Sequence, residues 1–97
     1  MASYIGLINW ADQGIRTFKD SPSRADAVRE LSQGMGVTTK EIYWTIGSYD
    51  RVVIMDAPDE ETLTAALLSI GAGGNVRTTT MRAFTQNEFA GIVARAS

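Results

Sequence analysis

At 97 residues, 44% hydrophobic and 21% charged, the chain is long enough for one globular domain and too short for two. It has no cysteine and no histidine, which excludes disulfides and thiolate nucleophiles and removes both the usual neutral-pH acid/base and the commonest metal ligands. Its net charge is −2 and its seven arginines are scattered, so double-stranded nucleic acid finds no electrostatic footprint.

Taken in chain order, Tyr4 to Trp10 is a short apolar, β-rich run and reads as a first strand. Asp12 is the expected N-cap of a helical stretch reaching Ser32, interrupted where Pro22 disfavours helix at Ser21. Ser21 or Ser23 is the expected cap of the second piece. Ala25, Val28 and Leu31 then fall on one face, with Arg24, Asp26, Arg29 and Glu30 turned to water. Gly34-Met35-Gly36 ends the helix, because glycine takes the left-handed C-cap conformation at little cost. Val37 to Ile46 reads as a second strand, with Ile42, Trp44 and Ile46 on one side and Glu41, Tyr43 and Thr45 on the other.

Gly47 to Asp50 makes a turn into a third strand, Arg51 to Asp56. Asp59, Glu60 and Glu61 put negative charge at the start of the next helix, where it complements the helix dipole. Leu63, Ala66, Leu67 and Ile70 give that helix its apolar face, and Gly71 to Gly74 end it. Val76 to Phe84 reads as strand four. A last helix opens near Thr85, with Glu88 at the spacing of a capping box.

The order β-α-β-β-α-β plus a C-terminal helix is the split βαβ, or ferredoxin-like, pattern. It is an α+β fold, one domain over 1–97, with a four-stranded antiparallel sheet and helices on one face. The apolar segment at the N-terminus stops at Asp12 and no long apolar stretch follows, so the expectation is a soluble, cytoplasmic protein with no membrane partner.

A sheet with helices on one side and water on the other alternates apolar and polar residues. Strands one and three do not. Tyr4, Ile8 and Trp10 share one face of strand one, with Ile5 and Leu7 on the other; Val53 and Met55 oppose Val52 and Ile54 in strand three. Both faces require burial and the helices cover one. A homo-oligomer is therefore expected, with Tyr4, Ile8, Trp10, Val53 and Met55 as candidate interface residues. In the alternative, the C-terminal helix folds over the open face with Phe89, Ile92 and Val93 and leaves a monomer.

Gly47-Ser48-Tyr49-Asp50, followed by Val52-Val53-Ile54 and Ala57-Pro58-Asp59, resembles the signature of the GYD domain family. Gln13-Gly14-Ile15 after the first strand, Arg24 after Pro22, and the run from Gly74 through Arg77-Thr78-Thr79-Thr80 to Ala83-Phe84 carry the likeness over nearly the whole chain. Ser48, rather than glycine, precedes Tyr49, and Gly47 supplies the turn instead. The resemblance implies a ferredoxin-like domain of the dimeric α/β-barrel kind and carries no settled activity.

Asn9, Trp10, Tyr43, Tyr49 and Asp50 are the candidate ligand-binding residues. Asn9 is a polar interruption of an apolar strand, and Tyr49-Asp50 pairs a phenol with a carboxylate. The structural alternative gives Asp50 the closing of the hairpin turn and Tyr49 a packing role. Arg51, Arg77 and Arg82 lie on strands and are of a type that can hold an anionic ligand, but Arg77 and Arg82, an odd number apart, fall on opposite faces and form no single cluster, so surface ion pairs are the default reading. Asp56, Asp59, Glu60 and Glu61 lack the spacing of a calcium loop. Gly71-Ala72-Gly73-Gly74 follows a helix and precedes a strand, the reverse of a phosphate loop. No metal and no cofactor is therefore expected. The leading reading is a homo-oligomeric assembly domain, with a small molecule as a possible second partner. The alternatives are a cofactor-free oxygenase or isomerase with Asp50 as base beside Tyr49, Asn9 and Tyr43, and a regulatory module building rings or trimers through an edge strand.

Overall fold

In the computed structural model, which describes residues 1–97, the elements run β1 (Ala2–Trp10), α1 (Asp12–Arg16), a 3-10 turn (Phe18–Asp20), α2 (Ser21–Gly34), β2 (Thr38–Trp44), β3 (Arg51–Ala57), α3 (Glu60–Ala72), β4 (Val76–Ala83) and α4 (Gln86–Ala96). The sheet order is β2-β3-β1-β4 and every pairing is antiparallel, so the ferredoxin-like expectation holds. β1 is central: Tyr4 lies between Met55 and Arg82, Gly6 between Val53 and Thr80, and Ile8 between Arg51 and Thr78.

That register sorts the side chains. Tyr4, Ile8, Val53, Met55 and Ala57 point to the helices and form the core with Val37 and with Leu63 and Ala66 of α3. Ile5, Leu7, Val52 and Ile54 point the other way and stay half-buried. The alternation along each strand matches the sequence pattern, but the assignment of sides needs correction. The interface candidates Tyr4, Ile8, Val53 and Met55 are covered by the chain's own helices; Trp10 shares their side of β1. Two-sided apolar strands define two faces, and nothing in a single strand says which one the helices take.

Local details also depart from expectation. Ala11, not Asp12, is the N-cap of α1, and Asp12 sits in its first turn. α2 has no side-chain cap, and Pro22 occupies its first turn, where the missing N–H costs nothing. Its buried line is Ser21, Ala25 and Ser32, while Leu31 is exposed. β2 stops at Trp44, leaving Ile46 fully exposed, and Gly47 makes the turn at φ +125°. Asp59 caps α3 by accepting the Thr62 N–H at 2.7 Å, a bond that holds its carboxyl below the usual carboxylate range. The capping box of α4 forms as expected between Thr85 and Glu88.

Candidate functional site

The five sequence-selected ligand residues do not converge. Asn9 lies on the open face opposite Arg77. Tyr43 lies on the same face at the β2 edge, opposite Val52, where its hydroxyl donates to Glu41 and its pKa is raised by that bond. Trp10 shares the helix-facing side of β1. Asp50 is engaged by β1: its carboxylate accepts the Trp10 N–H at 2.9 Å and its own N–H donates to the Ile8 carbonyl at 2.9 Å. Tyr49 is half-buried, and its carbonyl accepts the Thr45 hydroxyl. The Tyr49-Asp50 pair therefore splices the β2–β3 hairpin onto the end of β1, and Asp50 lies outside the cavities of the domain.

The open sheet face has an apolar centre and a polar margin. Ile5 and Leu7 of β1 lie beside Ile54 and Val52 of β3 and Met81 and Thr79 of β4. Around them stand Asn9, Arg77, Glu41, Tyr43 and Asp56, the last accepting from Ser3 and paired with Lys40 at 3.6 Å. α4 leaves this face uncovered by any tight packing, since none of its residues is buried and Phe89 and Val93 are more than half exposed. The root of α4 is fixed by Arg82, which lies 4.4 Å over the Phe84 ring and 3.8 Å from Glu88.

Behind the sheet, between β-strands and helices, is a cleft of about 40 Å³. Gly6 lies in its floor under the Met55 methyl, with Thr78 and Thr80 on one side and Val53 and Ile42 on the other. Arg51 enters it from the start of β3. This residue is 5% exposed, has no carboxylate within 4 Å, and its Nε finds no hydrogen-bond partner. An unpaired buried charge is among the costlier things a domain can carry. Burial pushes the Arg51 pKa down, and the nearby Arg24 guanidinium adds to the effect. Trp44 lies 5.8 Å from the Arg51 guanidinium and is itself pinned through its indole N–H to the Ser21 hydroxyl at 3.0 Å. Thr80 Oγ1 is likewise buried and unpartnered. The sequence marks Arg51, like Arg77 and Arg82, as a strand cation able to hold an anion, with a surface ion pair as the default; the signal that sets it apart is the shared parity with Val53 and Met55, which sends it inward.

A family model described as the GYD domain matches residues 4–93. The chain belongs to the GYD domain family. This GYD domain is 33% identical over 84 residues to a Thermus thermophilus protein called glutamine synthetase and cystathionine beta-lyase binding protein, spanning 86% of this chain and 88% of that one. Among solved structures it resembles FFRP-DM1, with a TM-score of 0.63 at 19% identity over 87% of this chain and all of that one. A second crystal structure, of a protein from Thermus thermophilus, matches with a TM-score of 0.55 at 24% identity, over 88% and 95% of the two chains. At these identities the likeness is one of fold.

The residues that carry the family resemblance have structural work in this GYD domain. Gln13 Nε2 donates to the Gly73 carbonyl at 3.3 Å and to Asn75 Oδ1 at 3.1 Å, tying α1 to the turn before β4. Gly14 packs against the same turn so closely that a Cβ there would lie 2.0 Å from the Asn75 carbonyl oxygen. Arg24 donates to the Thr17 carbonyl and hydroxyl and to the Gly14 carbonyl at 2.7–3.1 Å, closing the C-terminal end of α1. No helix is long and apolar enough to cross a membrane.

Proposed function

We propose that this GYD domain is a non-catalytic binding protein that pairs with a second copy through its open sheet face and, so assembled, docks onto a larger protein. The observation that carries the reading is the half-exposed apolar centre formed by Ile5, Leu7, Val52, Ile54 and Met81. Four strands about 4.8 Å apart and seven residues long at about 3.3 Å each give that face a flat footprint of roughly 440 Å². A stable interface takes roughly 800 Å² from each partner. The unburied apolar stripe of α4, Phe89, Ile92 and Val93, is the surface available to make up the difference across the pair. The name of the Thermus relative, a binding protein for two enzymes, supports a protein as the further partner. Asp50, bonded to the β1 backbone, supports the structural role of the hairpin over an acid/base role.

Light scattering on the purified protein tests the pairing. A native mass of twice the 10.5 kDa chain is expected, falling to one chain in Val52→Asp/Ile54→Asp while the circular dichroism of the fold is kept. A folded double variant with unchanged mass would remove the open face from the proposal.

A further inference from the structure

We infer that the cleft between sheet and helices is a binding site for a small carboxylate with a short apolar body, anchored by Arg51. The inference is independent of pairing, because Arg51 lies on the opposite side of the sheet from the open face.

Three observations converge on it. First, Arg51 is only 5% exposed, lines the cleft and has neither an ion-pair partner nor a bond to Nε. A guanidinium offers five donors in a planar fork that matches a carboxylate, so its unused donors specify the missing group. Second, no aspartate or glutamate lines the cleft, while Arg29 lines it and Arg24 stands with Arg51 in a second pocket beside Asn75. The local field therefore favours an anion and opposes a cation. Arg24 is already committed to the Thr17 and Gly14 carbonyls and Arg29 is exposed to solvent, which leaves Arg51 as the buried group that binds. Third, the remaining wall is apolar, with Val53, Met55, Leu67 and Ile70, and it would reject a bare inorganic anion's hydration shell while covering a hydrocarbon body. The unpartnered Thr80 hydroxyl, across Gly6 from Val53, offers a further hydrogen bond to a second polar atom of the ligand.

At Gly6 the Met55 methyl takes the room a side chain would need, standing 3.0 Å from where a Cβ would lie. Occupancy by a carboxylate would pair the buried charge of Arg51.

Titration of the 15N,13C-labelled protein with isovalerate, following the Arg51 Nε–H signal and the Thr80 and Val53 methyls, tests this directly. Saturable shifts at all three are expected, with isopentanol, which keeps the body and lacks the charge, and inorganic phosphate, which has charge and no body, each weaker by about tenfold or more. Arg51→Met, which keeps length and removes the charge, is expected to weaken isovalerate binding by about tenfold or more and to raise the melting temperature of the free protein. Gly6→Ala keeps Arg51 and narrows the floor, and is expected to weaken binding severalfold should Arg51→Met not fold. The inference is overturned if isovalerate gives no saturable shift, if phosphate or isopentanol binds as tightly, or if a folded Arg51→Met or Gly6→Ala protein binds isovalerate as the unsubstituted protein does.

Discussion

The two faces of one sheet are built from nearly the same residue types and end in opposite situations. Tyr4, Ile8, Val53 and Met55 lie under α2 and α3 at 2–8% exposure, whereas Ile5, Leu7, Val52 and Ile54, one residue away in each case, remain half-buried. The covered face also accepts a missing side chain at Gly6, filled by the Met55 methyl, and an unpaired cation at Arg51. The open face carries its polar groups at the margin, bonded to one another, as Asp56 is to Ser3 and Lys40. Burial alone does not make a face inert: here the covered face holds the unsatisfied chemistry and the open face holds the unsatisfied hydrophobic area.

Truncation separates the faces most strongly. Leu63→Ala, beneath the covered face at 4% exposure, is expected to cost about 2–5 kcal/mol in urea unfolding. Ile54→Ala is expected to cost under about 1 kcal/mol for the isolated chain and to act instead on native mass. Equal losses for the two would mean that the open face is covered within the chain. Next in size is the seam that closes the covered layer. Gly14→Ala forces a Cβ to within 2.0 Å of the Asn75 carbonyl and is expected to cost about 1–3 kcal/mol. Gly34→Ala, with nothing within 4 Å, is expected to be stabilising by about 0.5–1 kcal/mol, so a melting curve that moves the same way for both would contradict the seam.

The smallest effect belongs to α4, none of whose residues is buried. Thr85→Ala removes the acceptor of the Glu88 N–H and is expected to cost the helix about 1 kcal/mol, seen as faster amide exchange at Gln86–Phe89 with an unchanged global midpoint. The Thr85 backbone N–H holds Glu88 below the usual carboxylate range. A depressed acid stabilises the structure above its unfolded pKa and loses that contribution as pH falls through its folded value. Acid is therefore expected to fray the first turn of α4, and Glu88→Gln to flatten that pH dependence in the same exchange experiment.

Much of the architecture was legible because periodicity reports parity. The strand-turn-strand run around Gly47 to Asp50, the apolar line Leu63, Ala66, Leu67 and Ile70, and the Thr85–Glu88 box all stand where the residues place them. Parity does not report sides, which is why Val53 and Met55 point towards a partner on the sequence alone and towards the helices in the fold. Reading all four strands together would have supplied the answer. Ser3, Asn9, Asp56, Glu41, Tyr43, Arg77 and Thr79 share the phase of Ile5 and Leu7, so that phase carries most of the polar groups. The cleft was not legible, because it arises where Gly6 falls beside Thr80 and Arg51 turns inward, a coincidence of register between segments far apart in the chain. Asp50 was legible as a turn residue, while its bond to the Trp10 N–H depends on that same register.

The central position of β1 has a consequence for how the chain comes into being. The first strand made is the one that needs both of the last two: its residues pair with β3 on one edge and with β4 on the other, Ser3 meeting Ala83. During synthesis β1 therefore waits, with hydrogen-bonding edges and apolar faces unprotected, until β3 and then β4 have emerged. Most of the pairing is non-local, which slows closure through loop entropy. The segment Tyr4-Ile5-Gly6-Leu7-Ile8 is then the stretch that a nascent-chain chaperone would have most reason to hold.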